Sequence, residues 1–498
     1  MDWMKLRSGS DVRGTAVGEK TILTEEVARR LGMAFALYTA QKTGKAQVTI
    51  AFGRDSRITG EKLLAAAAAG AVSVGANVLD FGMCTTPAMY MSILTPEFAP
   101  DGAVMITASH HPWDRNGLKF FQANGGLEGK EVAQQREMAQ VAEPPPEQGT
   151  IRQIPYLPTY KQLLAARIRS GLGTTAEKPL EGLHIVVDAG NGAGGFYADL
   201  MAELGADTTG SQFTNPDGMF PNHIPNPENA AAMASVSAAV VNAGADLGVI
   251  FDADCDRAAV VDADGSEINR NRLIALISAI LLEQTPGLTI VTDSVTSSGL
   301  KQFIEEKGGM HYRYKRGYRN VIDEAIRLNS MGIASPLAIE TSGHAALQEN
   351  HFLDDGMYLV TVLIVRAMQM KQQGKTLGSV IASLKEPVES TEVRMSITAE
   401  DFRPAGQAAV DRVLDKATSD TSWHLAPDNR EGVRISFDLN GQADAGWFLL
   451  RLSVHDPVLP LNVESDVPGG VKQMLSALLH VLEGIPDVDL TNLQEAAQ

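Results

Sequence analysis

An α/β protein of several domains is predicted by three observations. Short apolar runs alternate with longer helical patterns through most of the chain, the strand-like runs end in loops rich in glycine and aspartate, and the closing segment has a different pattern. The 498 residues exceed what one hydrophobic core supports, so about three or four domains of roughly 100–200 residues are expected. The divisions fall at 1–150, 151–265, 266–386 and 387–498, giving three similar α/β domains and a C-terminal α+β domain.

Each element has its own justification. Val48-Thr49-Ile50-Ala51-Phe52 reads as a strand ending at Gly53-Arg54-Asp55-Ser56-Arg57, with a helix over 61–72. The most apolar stretch, residues 63–81, is alanine-rich and breaks at Gly70 and Gly75. It reads as a packed helix and then a strand, too interrupted for a membrane span. The pattern returns at residues 183–187, followed by the glycine-rich loop 188–195 and a helix through Leu204, and again at 288–292. Three consecutive prolines make 143–149 a linker, and a second break falls near Glu386-Pro387. Strand patterns at 433–438 and 447–454 and a helical pattern at 470–482 predict an antiparallel sheet with helices.

A net charge of -18 and a pI near 5.0 argue against a nucleic-acid or anionic-membrane surface. The first 14 residues carry charges and no apolar core, unlike a secretory signal. Only Cys84 and Cys255 are present, too few for a disulfide framework, so a reducing cytoplasmic setting is expected.

Two motifs carry the chemistry. Thr107-Ala108-Ser109-His110-His111-Pro112 presents a serine between small residues and histidine, where a hydroxyl can carry or attack a phosphoryl group. Alone, such a serine is far more often a turn cap. Asn116-Gly117-Leu118-Lys119 downstream reads as a turn followed by a lysine suited to phosphate charge or proton transfer. Asp252-Ala253-Asp254-Cys255-Asp256-Arg257 follows the strand pattern 247–251 and crowds three carboxylates at a strand end. Their repulsion calls for a cation, and hard oxygen donors suit Mg²⁺ better than zinc. Cys255 is a soft donor and reads as a packing residue.

With these motifs the chain resembles the α-D-phosphohexomutase superfamily of phosphoglucomutase, phosphomannomutase and phosphoglucosamine mutase. Further segments carry the resemblance in family order: Ser10-Asp11-Val12-Arg13-Gly14, Gly53-Arg54-Asp55-Ser56-Arg57, Thr86-Pro87, the loop 216–228, Lys315-Arg316-Gly317-Tyr318-Arg319, Glu340-Thr341-Ser342-Gly343-His344, Asp354-Asp355-Gly356 and Arg451-Leu452-Ser453-Val454-His455-Asp456-Pro457. The resemblance implies four domains around a central cleft, a phosphoserine at Ser109, and Mg²⁺ held by Ser109, Asp252, Asp254 and Asp256. It implies proton transfer among His110, Lys119 and His344, charge stabilisation by Arg13 and Arg257, and sugar contacts from Glu340, Ser342 and His344. Arg451, Ser453 and His455, with Arg316 and Arg319, are the implied phosphate contacts. Departures from the family pattern are Ala253, Cys255, Ile339 and Val454 at places where glycine is usual, and His455 where threonine is common.

The implied activity interconverts a hexose 1-phosphate and 6-phosphate through a 1,6-bisphosphate intermediate, with glucose 1,6-bisphosphate or a related hexose bisphosphate as activator. Glucose and mannose phosphates are the first expected substrates, and phosphoglucosamine mutase is the alternative subclass. A metal-dependent sugar phosphatase and a non-catalytic sugar-phosphate sensor are the competing readings. Partners are expected to be a phosphorylated hexose, with no nucleic acid or membrane, and the protein a monomer or homodimer.

Overall fold

The computed structural model describes residues 3–141, 149–453 and 456–498. Most of the expected linker, residues 143–148, and the clamp positions Val454 and His455 lie outside the described residues. The chain forms two compact units, 1–273 with 342–380 and 274–341 with 381–498.

The first unit holds a large mixed sheet. Its strands run Arg7–Ser8, Asp11–Thr15, Arg115–Gln122, Gly102–Ile106, Thr49–Arg54, Asn77–Met83 and Ile151–Gln153 across the sheet. The strand Thr49–Arg54 pairs in parallel with Asn77–Met83 and Gly102–Ile106, whereas Gly102–Ile106 pairs antiparallel with Arg115–Gln122. Buried on both faces, Gly102–Ile106 is apolar throughout, as a covered central strand requires. The helix Thr86–Leu94 begins at an N-cap, Thr85, whose side chain accepts the Ala88 N–H at 3.2 Å, with Pro87 in the first turn. Such a cap contributes about 1 kcal/mol.

The same unit contains a second sheet ordered Glu267–Ile268, Ala258–Asp262, Leu247–Phe251 and Ile185–Asp188. Leu247–Phe251 is fully buried between Ile185–Asp188, parallel, and Ala258–Asp262, antiparallel. The antiparallel pair Ala345–Leu347 and Leu353–Asp354 then leads into the helix Gly356–Gln372, which Asp355 caps by accepting the Tyr358 N–H at 2.8 Å.

The second unit contains parallel strands Met310–Arg313, Thr289–Thr292 and Leu337–Ile339. It also has an antiparallel sheet ordered Glu389–Ser396, Val458–Ser465, Gln442–Leu450, Val433–Leu439 and His424–Leu425. The helix Gly470–Leu482 occupies the expected span and buries Met474, Leu475, Leu478 and Leu482, spaced to share one face.

Two local expectations are corrected. Asn116 and Gly117 lie inside the strand Arg115–Gln122, not in a turn. A Cβ on Gly117 would sit 2.5 Å from Val12 O and 2.7 Å from Thr107 O, so glycine is required here for close backbone approach. The Asn116 side chain accepts the Gly117 N–H and donates to Thr59, replacing its turn role with local bonds inside the strand. The strand expected at 447–454 instead spans Gln442–Leu450, its earlier start set by pairing of Gln442 with Leu439 and Gly446 with Phe437.

Candidate active site

Two strand ends in the first unit build the site. Gly102–Ile106 delivers Thr107-Ala108-Ser109, and Leu247–Phe251 delivers the aspartate loop. Ser109 is buried with φ at 52°, a left-handed conformation uncommon for a residue with a Cβ. Its Oγ donates to Asp252 Oδ2 at 2.8 Å and accepts from Arg257 Nη2 at 3.2 Å. The same Nη2 donates to His110 Nδ1. Burial, followed by the Arg257 charge, pushes the His110 imidazole down to about 2, which keeps the ring neutral and able to accept.

Asp252, Asp254 and Asp256 are all buried and bring ligand oxygens within 4.8 Å of one another. Cys255 supplies the turn between them at φ 67°, taking a backbone conformation that glycine adopts more readily, and its Sγ packs 3.7 Å from Asp252 O. Burial, then the Asp256 and Asp254 charges, holds the Asp252 carboxyl well above its usual range. Asp254 and Asp256 feel burial too, yet Lys119 offsets it and both are held low. Lys119 Nζ donates to Asp254 Oδ2 at 2.8 Å and to Asp256 Oδ2. Thr86 donates its hydroxyl to Asp254 Oδ2 at 2.5 Å and its N–H to Asp254 O at 2.9 Å.

The donor set fits a hard divalent cation. Asp254 Oδ1 and Asp256 Oδ1 are buried without a hydrogen-bond partner among the described residues, leaving two oxygens unspent beside the Asp252 carboxylate. Nearby, His344 Nδ1 lies 2.6 Å from Asp354 Oδ2 and 3.9 Å from Asp256 Oδ1. Burial pulls the His344 ring down, but the Asp354 and Asp256 carboxylates more than offset this and its pKa is raised. Arg13 donates to Asp11 Oδ2 at 2.7 Å from a strand paired with Arg115–Gln122, and its charge reaches His110, His111 and Lys119. Ser109, His110, Lys119, the three aspartates, Arg257, His344 and Arg13 therefore lie in one neighbourhood of the first unit.

The remaining residues belong to other surroundings. Ser342 is buried and opens the return of the chain to the first unit. In the second unit, Glu340 Oε1 accepts the Gly317 N–H at 2.6 Å, and Arg316 Nε lies 4.0 Å from Asp293 Oδ2. Arg319 is spent on Asp323, one turn along its own helix at 3.0 Å, which does not favour its expected phosphate contact. Close to Arg451 in the chain, Ser453 Oγ accepts the Asp456 N–H at 3.2 Å. Arg451 Nε is buried with no hydrogen-bond partner among the described residues.

Sequence reasoning does not single out Glu431, whose Oε2 accepts the Arg316 N–H at 3.1 Å across 115 residues of chain. No local pattern signals it. Asp354 is different, since Asp354-Asp355-Gly356 marks its place.

A buried serine hydroxyl bonded to a carboxylate cluster and an arginine has the groups that a metal-assisted phosphoryl transfer would need. Models of the phosphoglucomutase/phosphomannomutase alpha/beta/alpha domains I, II and III match residues 4–141, 160–265 and 269–387. A phosphomannomutase/phosphoglucomutase from Pseudomonas putida is 30% identical over 92% of this chain and 90% of its own length. A phosphoglucosamine mutase from Corynebacterium jeikeium is 30% identical over 96% and 99%. Among solved structures, a phosphoglucomutase/phosphomannomutase family protein from Burkholderia thailandensis has a TM-score of 0.79 at 25% identity, covering 97% of this chain and 98% of its own. An Aspergillus fumigatus N-acetylphosphoglucosamine mutase shares the fold at TM-score 0.55. Its complex with GlcNAc-6P and magnesium is 14% identical, covering 92% of this chain and 96% of that one. The complex of its variant with glucose 1,6-bisphosphate is 12% identical, covering 95% and 94%.

The chain belongs to the phosphoglucomutase/phosphomannomutase family, within the α-D-phosphohexomutase superfamily. Its fold is three α/β/α domains with a C-terminal sheet domain, and it is an isomerase of the phosphohexomutase class. Among the described residues no helix is long and apolar enough to cross a membrane.

Proposed function

We propose that this phosphohexomutase carries its phosphoryl group on Ser109 and interconverts hexose 1- and 6-phosphates through a bound 1,6-bisphosphate. The observation that carries the reading is Ser109 Oγ at 2.8 Å from Asp252 and 3.2 Å from the Arg257 guanidinium. Ser109, Asp252, Asp254 and Asp256 would hold Mg²⁺, which when bound neutralises charge on a transferring phosphoryl group. Arg257 and Arg13 add fixed positive charge beside the serine. Lys119 and His344 exchange protons with substrate hydroxyls, His344 being supported in its protonated form by Asp354. The transfer conserves phosphate: the Ser109 Oγ–P bond breaks as a sugar oxygen–P bond forms, and the reverse transfer from the other sugar position restores phosphoserine.

Glu340, Ser342 and His344 are assigned to sugar hydroxyls, and Arg316, Arg451, Ser453 and His455 to the phosphate that is not reacting. Arg319 is the weaker candidate because of its Asp323 partner. Glucose and mannose phosphates lead as substrates, with glucosamine phosphate the alternative; the names of the relatives include both groups. Glucose 1,6-bisphosphate or a related hexose bisphosphate is the proposed activator. The reading also divides the chain at 150, 265 and 386, close to the family-model limits at 141, 265 and 387. It places the protein in the cytoplasm, as a monomer or homodimer without nucleic-acid or membrane partners; both cysteines are free and buried.

Phosphorus NMR tests it. With Mg²⁺, trace glucose 1,6-bisphosphate and glucose, mannose or glucosamine 1-phosphate in turn, a 6-phosphate is expected that disappears in Ser109→Ala. Release of inorganic phosphate instead would establish a phosphatase, and no turnover with any sugar would favour a sensor.

A further inference from the structure

Arg57 lies beneath the serine loop and none of the roles above uses it. Its side chain is fully buried, with the Asp55 carboxylate 3.2 Å from Nε. Nη1 donates to Pro112 O at 2.7 Å and Arg115 O at 2.9 Å, while Nη2 donates to His111 O at 2.7 Å and to Ser109 O. An arginine has five N–H donors in a fixed planar fork, and all five have an acceptor here. The four carbonyls that converge on the guanidinium would repel one another without it. Asp55 also accepts the Thr107 hydroxyl at 2.7 Å, and Thr107 Oγ1 in turn accepts the Ser109 N–H at 2.9 Å.

The second α/β/α domain closes over the same group. Phe220 places its ring centroid 5.1 Å from the Arg57 guanidinium carbon. Gly218 approaches so closely that a Cβ would lie 2.4 Å from both Ile58 N and Ser56 O. The loop 216–228 thus registers on the backbone that carries Arg57 and connects, through the strand Leu247–Phe251, to the aspartate loop.

We infer that Arg57 is a positioning residue for phosphoryl transfer: it fixes both ends of the serine loop so that Ser109 keeps its left-handed backbone and aims Oγ at Asp252. The inference rests on Ser109 being the phosphoryl carrier. Lysine cannot substitute, because one ammonium with three donors does not span four carbonyls and a carboxylate.

The test uses the full chain with Arg57→Lys, Arg57→Met and Phe220→Leu. Hydrogen–deuterium exchange of residues 107–117, melting temperature, and kcat and KM for glucose 1-phosphate with glucose 1,6-bisphosphate are measured together. Both Arg57 variants are expected to exchange faster across 107–117, and to lose about 100-fold in kcat with little change in KM. Phe220→Leu, which keeps all five bonds and guards against failure of the Arg57 variants to fold, shifts both readouts the same way but less. Full activity in Arg57→Lys, unchanged exchange across 107–117, or a melting-temperature loss with wild-type kcat would each overturn the assignment. If the wild type makes no 6-phosphate, the mutase reading fails, while the exchange data still decide whether Arg57 holds the loop.

Discussion

Lys119 Nζ bridges Asp254 and Asp256, lying 2.8 Å from the Oδ2 of the former, so a cation of the chain itself balances part of the carboxylate cluster. Removing one partner of a buried ionic contact costs about 3–5 kcal/mol, because the other charges remain desolvated. Lys119→Met is therefore expected to lower unfolding stability by that order in EDTA. Urea titrations should show the deficit shrinking when Mg²⁺ is added; a deficit independent of Mg²⁺ would separate the lysine from the proposed metal site.

Thr86 holds Asp254 through both its hydroxyl and its N–H. Loss of such support around a metal ligand typically weakens metal affinity by about 10–100-fold. Thr86→Val keeps the shape and the N–H but removes the hydroxyl, and calorimetric titration with Mg²⁺ should report a loss in that range. An unchanged affinity would mean that the hydroxyl bond is dispensable.

His223 Nε2 lies 3.0 Å from Asp188 Oδ2 in the second sheet. Burial pulls the imidazole down, but the Asp188 hydrogen bond and charge outweigh it, so its pKa stands above the ordinary 6.5. The protonated ring is therefore favoured by folding. This contribution is complete below pH 6.5 and is lost as the pH rises through the folded value above it. The stability gap between wild type and His223→Gln should narrow as pH rises, and a gap that widens would reverse the assignment.

Gly117→Ala should destabilise the first unit, since its Cβ meets two backbone oxygens at 2.5 and 2.7 Å rather than yielding side chains. Overpacking of this kind costs about 1–3 kcal/mol, readable in a urea midpoint.

The same glycine marks where sequence reasoning reached its limit. Asn-Gly is a strong turn signal, yet here Val12 and Thr107 crowd the position from outside the local chain, and tertiary approach overrides the dipeptide preference. The strand end that carries Asp252 is legible because the apolar run 247–251 stops at a polar loop, a local signal, whereas the strand Gly102–Ile106 that carries Ser109 is seen only in the structure. Lys119, Arg257 and His344 were legible through adjacent motifs. Glu431 and the bonding role of Arg57 were not, because their partners lie 115 and 52–58 residues away. The Arg319–Asp323 pair follows from i,i+4 helical spacing, which competes with the phosphate role that the resemblance implies for the arginine.

The first unit recruits a distant stretch of chain, residues 342–380, after 274–341 have gone elsewhere. During synthesis the serine and all three aspartates precede His344 and Asp354, so a ribosome-bound fragment ending at residue 273 has Ser109 and the aspartate loop without the histidine–carboxylate pair. Arrest at successive lengths would read the order of assembly directly. Nor does one proteolytic nick divide the protein into its two units, because the backbone passes between them three times, after Leu273, Thr341 and Val380.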